Sequence, residues 1–201
     1  MKKFLAKFVN FISGWHINIP EEYRIKKAVM IAAPHTSNWD IIHALPGLWL
    51  GGYKPKYFIK DDFSKIPVIN WLLQWTGALW VNRKKHNNLI KHSVDMLNKE
   101  KELILMVPAE GTRSAVPQWK MGFYHIAKQA NLPVLLAYLD YQKKEAGVGK
   151  MIYLTGDMEK DLLEIENFYK NIHPKYPEKY NRKIFERKSK TKNLKIPESN
   201  K

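Results

Sequence analysis

Short apolar runs alternate with stretches whose apolar residues recur every three or four positions, from residue 28 to residue 169. The runs are residues 28–33, 57–59, 79–81, 103–107, 133–138 and 151–154. They are rich in β-branched and aliphatic side chains, several end at a proline such as Pro34 or Pro108, and they read as buried strands. Between them, residues 40–50, 63–76, 87–99, 119–131 and 158–169 read as helices. Ile90, Val94 and Leu97 form the stripe of one; Phe123, Ile126, Ala127 and Ala130 form that of another. Pro67 suits a first helical turn and Gly77 a C-terminal stop, whereas Pro46 and Gly47 should disturb the helix that begins at Asp40. Strands alternating with helices predict a single α/β domain, a central mixed and mostly parallel sheet covered by helices on both faces.

The two ends differ from this middle. Over residues 1–25, Phe4, Leu5, Phe8, Phe11, Ile12 and Trp15 recur at helical spacing, with Lys2, Lys3, Lys7, Asn10 and Ser13 opposite. This predicts an N-terminal basic amphipathic helix, followed by a linker, that lies in a lipid interface or packs on the protein's own core. Residues 26–172 hold the strand and helix pattern, and residues 173–201 read as a flexible basic tail with little apolar periodicity.

Composition narrows the partner. Across 201 residues, Lys and Arg number 34 and Asp and Glu 19, a formal charge of +15 that calls for something anionic: a membrane surface, nucleic acid, or an acidic protein or substrate. With no cysteine, disulfides, thiolate nucleophiles and thiolate zinc sites are excluded. No uninterrupted apolar stretch is long enough to span a bilayer, and the N-terminal run is broken by Lys7 and Asn10 without a small-residue cleavage site. The expectation is a cytoplasmic protein, peripheral on the inner face of the cytoplasmic membrane.

Two polar clusters directly follow strands, where ligand sites of α/β sheets lie. In the first, His35 follows the strand 28–33 and Asp40 stands five positions on, in the first turn of the next helix. A turn between them can fold the carboxylate onto the imidazole, fix its tautomer and stabilise the imidazolium. The other reading of this spacing is a helix N-terminal charge beside a loop histidine. The second cluster is Glu110, Gly111, Thr112, Arg113 and Ser114, after the strand 103–107. Its glycine lets the backbone approach a ligand, and Arg113 can grip a phosphate with two parallel hydrogen bonds. Arg83, ending the strand 79–81, is a second permanently charged fork. The remaining histidines, His16, His43, His86, His92, His125 and His173, have no carboxylate at a matching spacing and read as structural or solvated.

Taken together, these residues resemble the glycerolipid acyltransferases of the lysophosphatidic acid acyltransferase type. His35 to Asp40 is similar to the family's H-x-x-x-x-D block, with Ser37 inside it; Gly77 to Arg83 resembles the second block; Glu110 to Ser114 matches E-G-T-R-S; Leu132, Pro133 and Val134 resemble the fourth. The blocks fall in order over residues 28–140. Pro34, Ala109 and Leu136 depart from the usual residues, which puts the acyl acceptor in question more than the reaction.

The resemblance implies a glycerol-3-phosphate acyltransferase-like fold. It implies transfer of a fatty acyl group from acyl-CoA or acyl carrier protein to the free hydroxyl of a lysophospholipid such as 1-acylglycerol-3-phosphate. His35 and Asp40 are then the catalytic pair, His35 as general base. Arg83, Glu110, Gly111, Thr112 and Arg113 become the substrate-binding set. No metal or cofactor is expected beyond the acyl donor as co-substrate, since a leaving thiolate needs little electrophilic help. The competing readings are a basic nucleic-acid-binding protein, disfavoured because no zinc finger, RNA-binding motif or recognition helix is present, and an acyltransferase for a lyso-lipid without phosphate.

Overall fold

The computed structural model describes residues 1–60, 64–81 and 89–187. The strands are β1 (His16–Asn18), β2 (Lys27–Ala32), β3 (Pro55–Lys60), β4 (Ala78–Val81), β5 (Leu103–Val107), β6 (Val134–Asp140) and β7 (Glu145–Ile152), and the helices are α1 (Lys2–Ser13), α2 (Trp39–Leu50), α3 (Pro67–Thr76), α4 (Leu89–Lys99), α5 (Gly122–Ala130) and α6 (Met158–Tyr169). All the strands join one sheet in the order β1-β7-β6-β2-β5-β3-β4. The pairs are parallel except β6 with β7, which is antiparallel.

The continuous apolar runs arise because the central strands are covered on both sides. In β2, Val29 and Ile31 join one core with Leu97 of α4, Phe123 and Tyr124 of α5 and Ile165 of α6; Ala28 and Met30 join the other with Ala6 of α1 and Leu45, Leu48 and Trp49 of α2. Leu105 and Leu136 follow the first core, Met106 and Leu135 the second, so the two-residue alternation of a strand feeds two cores from one sheet. The mixed, mostly parallel sheet with helices on both faces is therefore observed.

Several boundaries move. α2 runs through Pro46 and Gly47 instead of stopping there. Its packing on the sheet outweighs the missing proline N–H, and a Cβ at Gly47 would come within 2.9 Å of Ile17 Cδ1, so the glycine permits this close approach. α5 begins at Gly122, not near Trp119, because the Trp119 N–H is engaged by the Ile184 carbonyl at 2.8 Å. β7 starts six residues before the predicted strand at Met151, and β1, read as linker, pairs with β7 as an edge strand. Gly77 ends α3 with φ 116°, and a Cβ there would lie 2.1 Å from the Pro55 carbonyl oxygen.

The flexible-tail reading from His173 onward is corrected as far as Arg187. Tyr180, Ile184 and Phe185 are buried in the core with α5 and α6. Asn181 bonds the carbonyls of Val116 and Pro117, and the Ile184 N–H donates to Glu166 at 3.0 Å. These contacts come from residues scattered along the chain, so no local periodicity announces them. Residues 188–201 lie outside the described residues.

The N-terminal helix forms as expected and closes at Gly14 in the left-handed conformation. It packs through Ala6, while Phe4, Phe8, Phe11 and Ile12 face outward, Phe11 88% exposed. α3 behaves alike: it buries no residue fully and exposes Val68, Leu72 and Trp71, the last 66% exposed. The start of α1 meets the end of α3 where Lys2 Nζ lies 5.2 Å from the Trp49 ring and 5.0 Å from the Trp75 ring. Neither helix contains an acidic residue, and among the described residues no helix is long and apolar enough to cross a membrane.

Candidate active site

β2 ends centrally in the sheet, and the chain turns through a cis Ala33–Pro34 peptide into His35. Asp40 lies in the first turn of α2, and its Oδ2 stands 3.1 Å from His35 Nδ1. The same oxygen accepts the backbone N–H groups of Thr36 and Ser37 at 2.9 Å each, while Oδ1 accepts the Tyr141 hydroxyl at 2.7 Å. Asp40 is only 4% exposed. Burial pushes its carboxyl upward, but hydrogen bonds from His35, Tyr141 and Ser37 outweigh that and hold it below the usual carboxylate value. An ionised, fully bonded Asp40 therefore holds Nδ1 of His35 as the protonated nitrogen, and Nε2 has no partner among the described residues.

Glu110 sits behind this pair. Its Oε2 accepts the His35 backbone N–H at 2.7 Å, and the residue is 3% exposed. Burial, opposed by that hydrogen bond and reinforced by the Asp40 charge, pushes its carboxyl up to about 8. Glu110, expected from the sequence to bind substrate, does not line the cavity described below; its carboxyl braces the backbone that carries the histidine. A carboxyl at this place would also repel a phosphate once ionised.

Gly111, Thr112 and Arg113 do line the cavity, as expected of them. Gly111 adopts φ 69°, and a Cβ there would press on the Lys120 side chain. Arg113 Nη1 donates to Asn38 Oδ1, so the second cluster reaches across to the first and aims a guanidinium at the cavity rim. Arg83 lies outside the described residues.

The cavity has a volume of about 770 Å³ and includes His35, Asp40 and Arg113 in its wall. It extends under α2 past Gly47 and Ala146 on one side of β2, and under α3 past Tyr57 and Leu73 on the other. Apolar walls with a few convergent polar groups at one place suit a ligand with a long apolar part and a polar reacting end.

Three features are invisible to local patterns. Tyr141 reaches Asp40 across 101 positions and Asn38 reaches Arg113 across 75. His173, read as structural or solvated, has Nδ1 3.2 Å from Oδ2 of the fully buried Asp140. The available signal for Tyr141 was its place just past the C-terminal end of a buried strand. His43 stacks on Trp15 with ring centroids 4.5 Å apart, consistent with a structural role.

Residues 16–138 match the family model described as Acyltransferase. The chain belongs to this acyltransferase family. The match spans the His35 to Asp40 block, Arg83 and the Glu110 to Arg113 block. Among solved structures, this acyltransferase is similar to the crystal structure of the 1-acyl-sn-glycerophosphate (LPA) acyltransferase PlsC from Thermotoga maritima. The TM-score is 0.58 at 17% identity, over 83% of this chain and 77% of that one, a likeness of fold. No curated protein matches the acyltransferase.

Proposed function

We propose that the protein transfers a fatty acyl group from a thioester, acyl-CoA or acyl carrier protein, to the free hydroxyl of a lysophospholipid such as 1-acylglycerol-3-phosphate. The observation that carries this reading is the His35–Asp40 pair in the wall of a large apolar cavity, with Arg113 beside it. His35 Nε2 takes the acceptor's hydroxyl proton as the oxygen attacks the thioester carbonyl. The C–S bond then breaks, and the imidazolium returns the proton to the leaving thiolate. Asp40 orients the ring and balances its charge, and no acyl-enzyme is formed. Arg113, together with Arg83 of the second sequence block, holds the acceptor's phosphate, and Gly111 and Thr112 shape that end of the site. The fold of a 1-acyl-sn-glycerophosphate acyltransferase supports the choice of acceptor.

The same reading places the enzyme on an anionic membrane surface at the cytoplasmic face. Phe8 and Phe11 of α1 and Val68 and Trp71 of α3 point outward from acid-free helices, with the exposed Lys3 and Lys7 available for headgroups. A Phe8→Ser/Phe11→Ser variant is expected to partition onto phosphatidylglycerol vesicles at least about tenfold more weakly, since each buried Phe contributes roughly 1.5 to 3 kcal/mol. Cosedimentation measures this, and unchanged partitioning would remove α1 as the anchor.

The deciding assay offers purified protein lysophosphatidate, or neutral and zwitterionic lyso-lipids, with acyl-CoA and acyl carrier protein donors. Turnover of lysophosphatidate supports the reading, and turnover of only a neutral lyso-lipid overturns the phosphate acceptor. Arg113→Ala is expected to raise KM for lysophosphatidate about 10- to 100-fold, the loss of a charge-assisted contact, with a much smaller effect on a neutral acceptor.

A further inference from the structure

The two oxygens of Asp40 keep different company. Oδ2 serves His35 Nδ1 and the N–H groups of Thr36 and Ser37, whereas Oδ1 accepts, among the described residues, one hydrogen bond, from the Tyr141 hydroxyl at 2.7 Å. Tyr141 directly follows β6, lies beyond the residues 16–138 that match the family, and does not line the cavity. It is nonetheless firmly placed. Its ring meets Trp15 edge-on at 5.0 Å and His43 at 6.1 Å, and its N–H donates to the His173 carbonyl at 2.8 Å. Lys175 Nζ lies 5.5 Å from the ring centroid. Burial and the nearby Asp40 charge push the phenol far above its ordinary value, so it stays a donor.

We propose that Tyr141 is a positioning residue for acyl transfer: its hydroxyl pins Asp40 Oδ1, so that Oδ2 faces His35 Nδ1 and the ring keeps the tautomer and orientation the reaction needs. This rests on His35 being the general base. Without the phenol, Oδ1 is a buried acceptor with no donor among the described residues, and the carboxylate gains by turning away from its bonds to the His35 turn, which loosens its hold on Nδ1. The other titratable groups around the pair and Tyr141 among the described residues are Glu110 after β5, Arg113 in the same cavity wall, His43 on α2, and Lys175 and Tyr176 on the C-terminal segment, with His173, whose carbonyl takes the Tyr141 N–H, paired to Asp140 at the end of β6. A Tyr141→Phe change leaves every one of them in place.

In Tyr141→Phe, kcat at saturating donor and acceptor is expected to fall about tenfold with KM nearly constant. In ¹⁵N NMR of the full chain, neutral His35 should lose population of the tautomer protonated at Nδ1, the one that Asp40 holds. Should the Phe variant fail to fold, 3-fluorotyrosine at position 141 keeps the ring and makes a stronger donor, and the Nδ1-protonated tautomer should then keep its population. An unchanged kcat and tautomer population in the Phe variant, or a rise in KM alone, overturns the proposal, as does loss of that tautomer with fluorotyrosine. Because the NMR measurement needs no turnover, it decides the role of Tyr141 even if lysophospholipid transfer fails.

Discussion

His35→Ala is expected to lower acyl transfer by roughly 10²- to 10⁴-fold, the usual contribution of a placed general base, while the fold survives. The histidine side chain is 26% exposed and its ring makes one hydrogen bond, to Asp40. After truncation, Asp40 Oδ2 keeps the N–H groups of Thr36 and Ser37, Oδ1 keeps Tyr141, and the backbone N–H of residue 35 keeps Glu110. Loss of turnover should therefore appear in kcat, with a melting temperature within a few degrees of the parent. Retained transfer would show that another group takes the acceptor's proton and would remove the base assignment.

The largest expected effect on stability concerns Glu110 and pH. Its carboxyl is pushed up to about 8 in the folded protein from an ordinary value of 4.5. Between these values the folded state binds a proton that the unfolded state has lost, so stability falls as pH rises through the window. The slope from this one group is about 1.4 kcal/mol per pH unit, or a few kcal/mol across the window. Glu110→Gln keeps an oxygen for the His35 N–H and cannot ionise. Denaturant melts from about pH 5 to about pH 8.5 should show the parent losing stability relative to the Gln variant as pH rises. Parallel curves would mean that Glu110 is ionised when folded. Glu110→Ala removes the acceptor altogether and should cost about 1 to 3 kcal/mol near pH 5, where the parent's carboxyl is protonated, and less as pH rises, with activity falling as the His35 backbone loosens.

Glu110 shows that spacing can bring a cluster together without giving the direction in which each member points. Spacing after a strand placed Glu110 and Arg113 together, but not which of them faces the ligand. Successive residues at a strand end point in different directions, and here the carboxyl turned toward the core while the guanidinium reached Asn38. The C-terminal segment is the other case. Its charged residues masked Tyr180, Ile184 and Phe185, whose burial depends on grooves made by α5 and α6.

What the sequence alone determined is what local chemistry encodes. The apolar runs defined the buried strands, the helical stripes defined the covering layers, and His35 with Asp40 fell close enough along the chain for one turn to join them. The amphipathic pattern of α1 was equally legible, although only the structure shows that Ala6 packs inward while the phenylalanines stay outside. Tertiary structure decided the contacts between residues far apart in sequence: Tyr141 on Asp40, Asn38 on Arg113, Asp140 beside His173, and Tyr180, Ile184 and Phe185 closing the core. Such partners leave no periodic signal, because their meeting depends on strand order and packing and not on spacing along the chain.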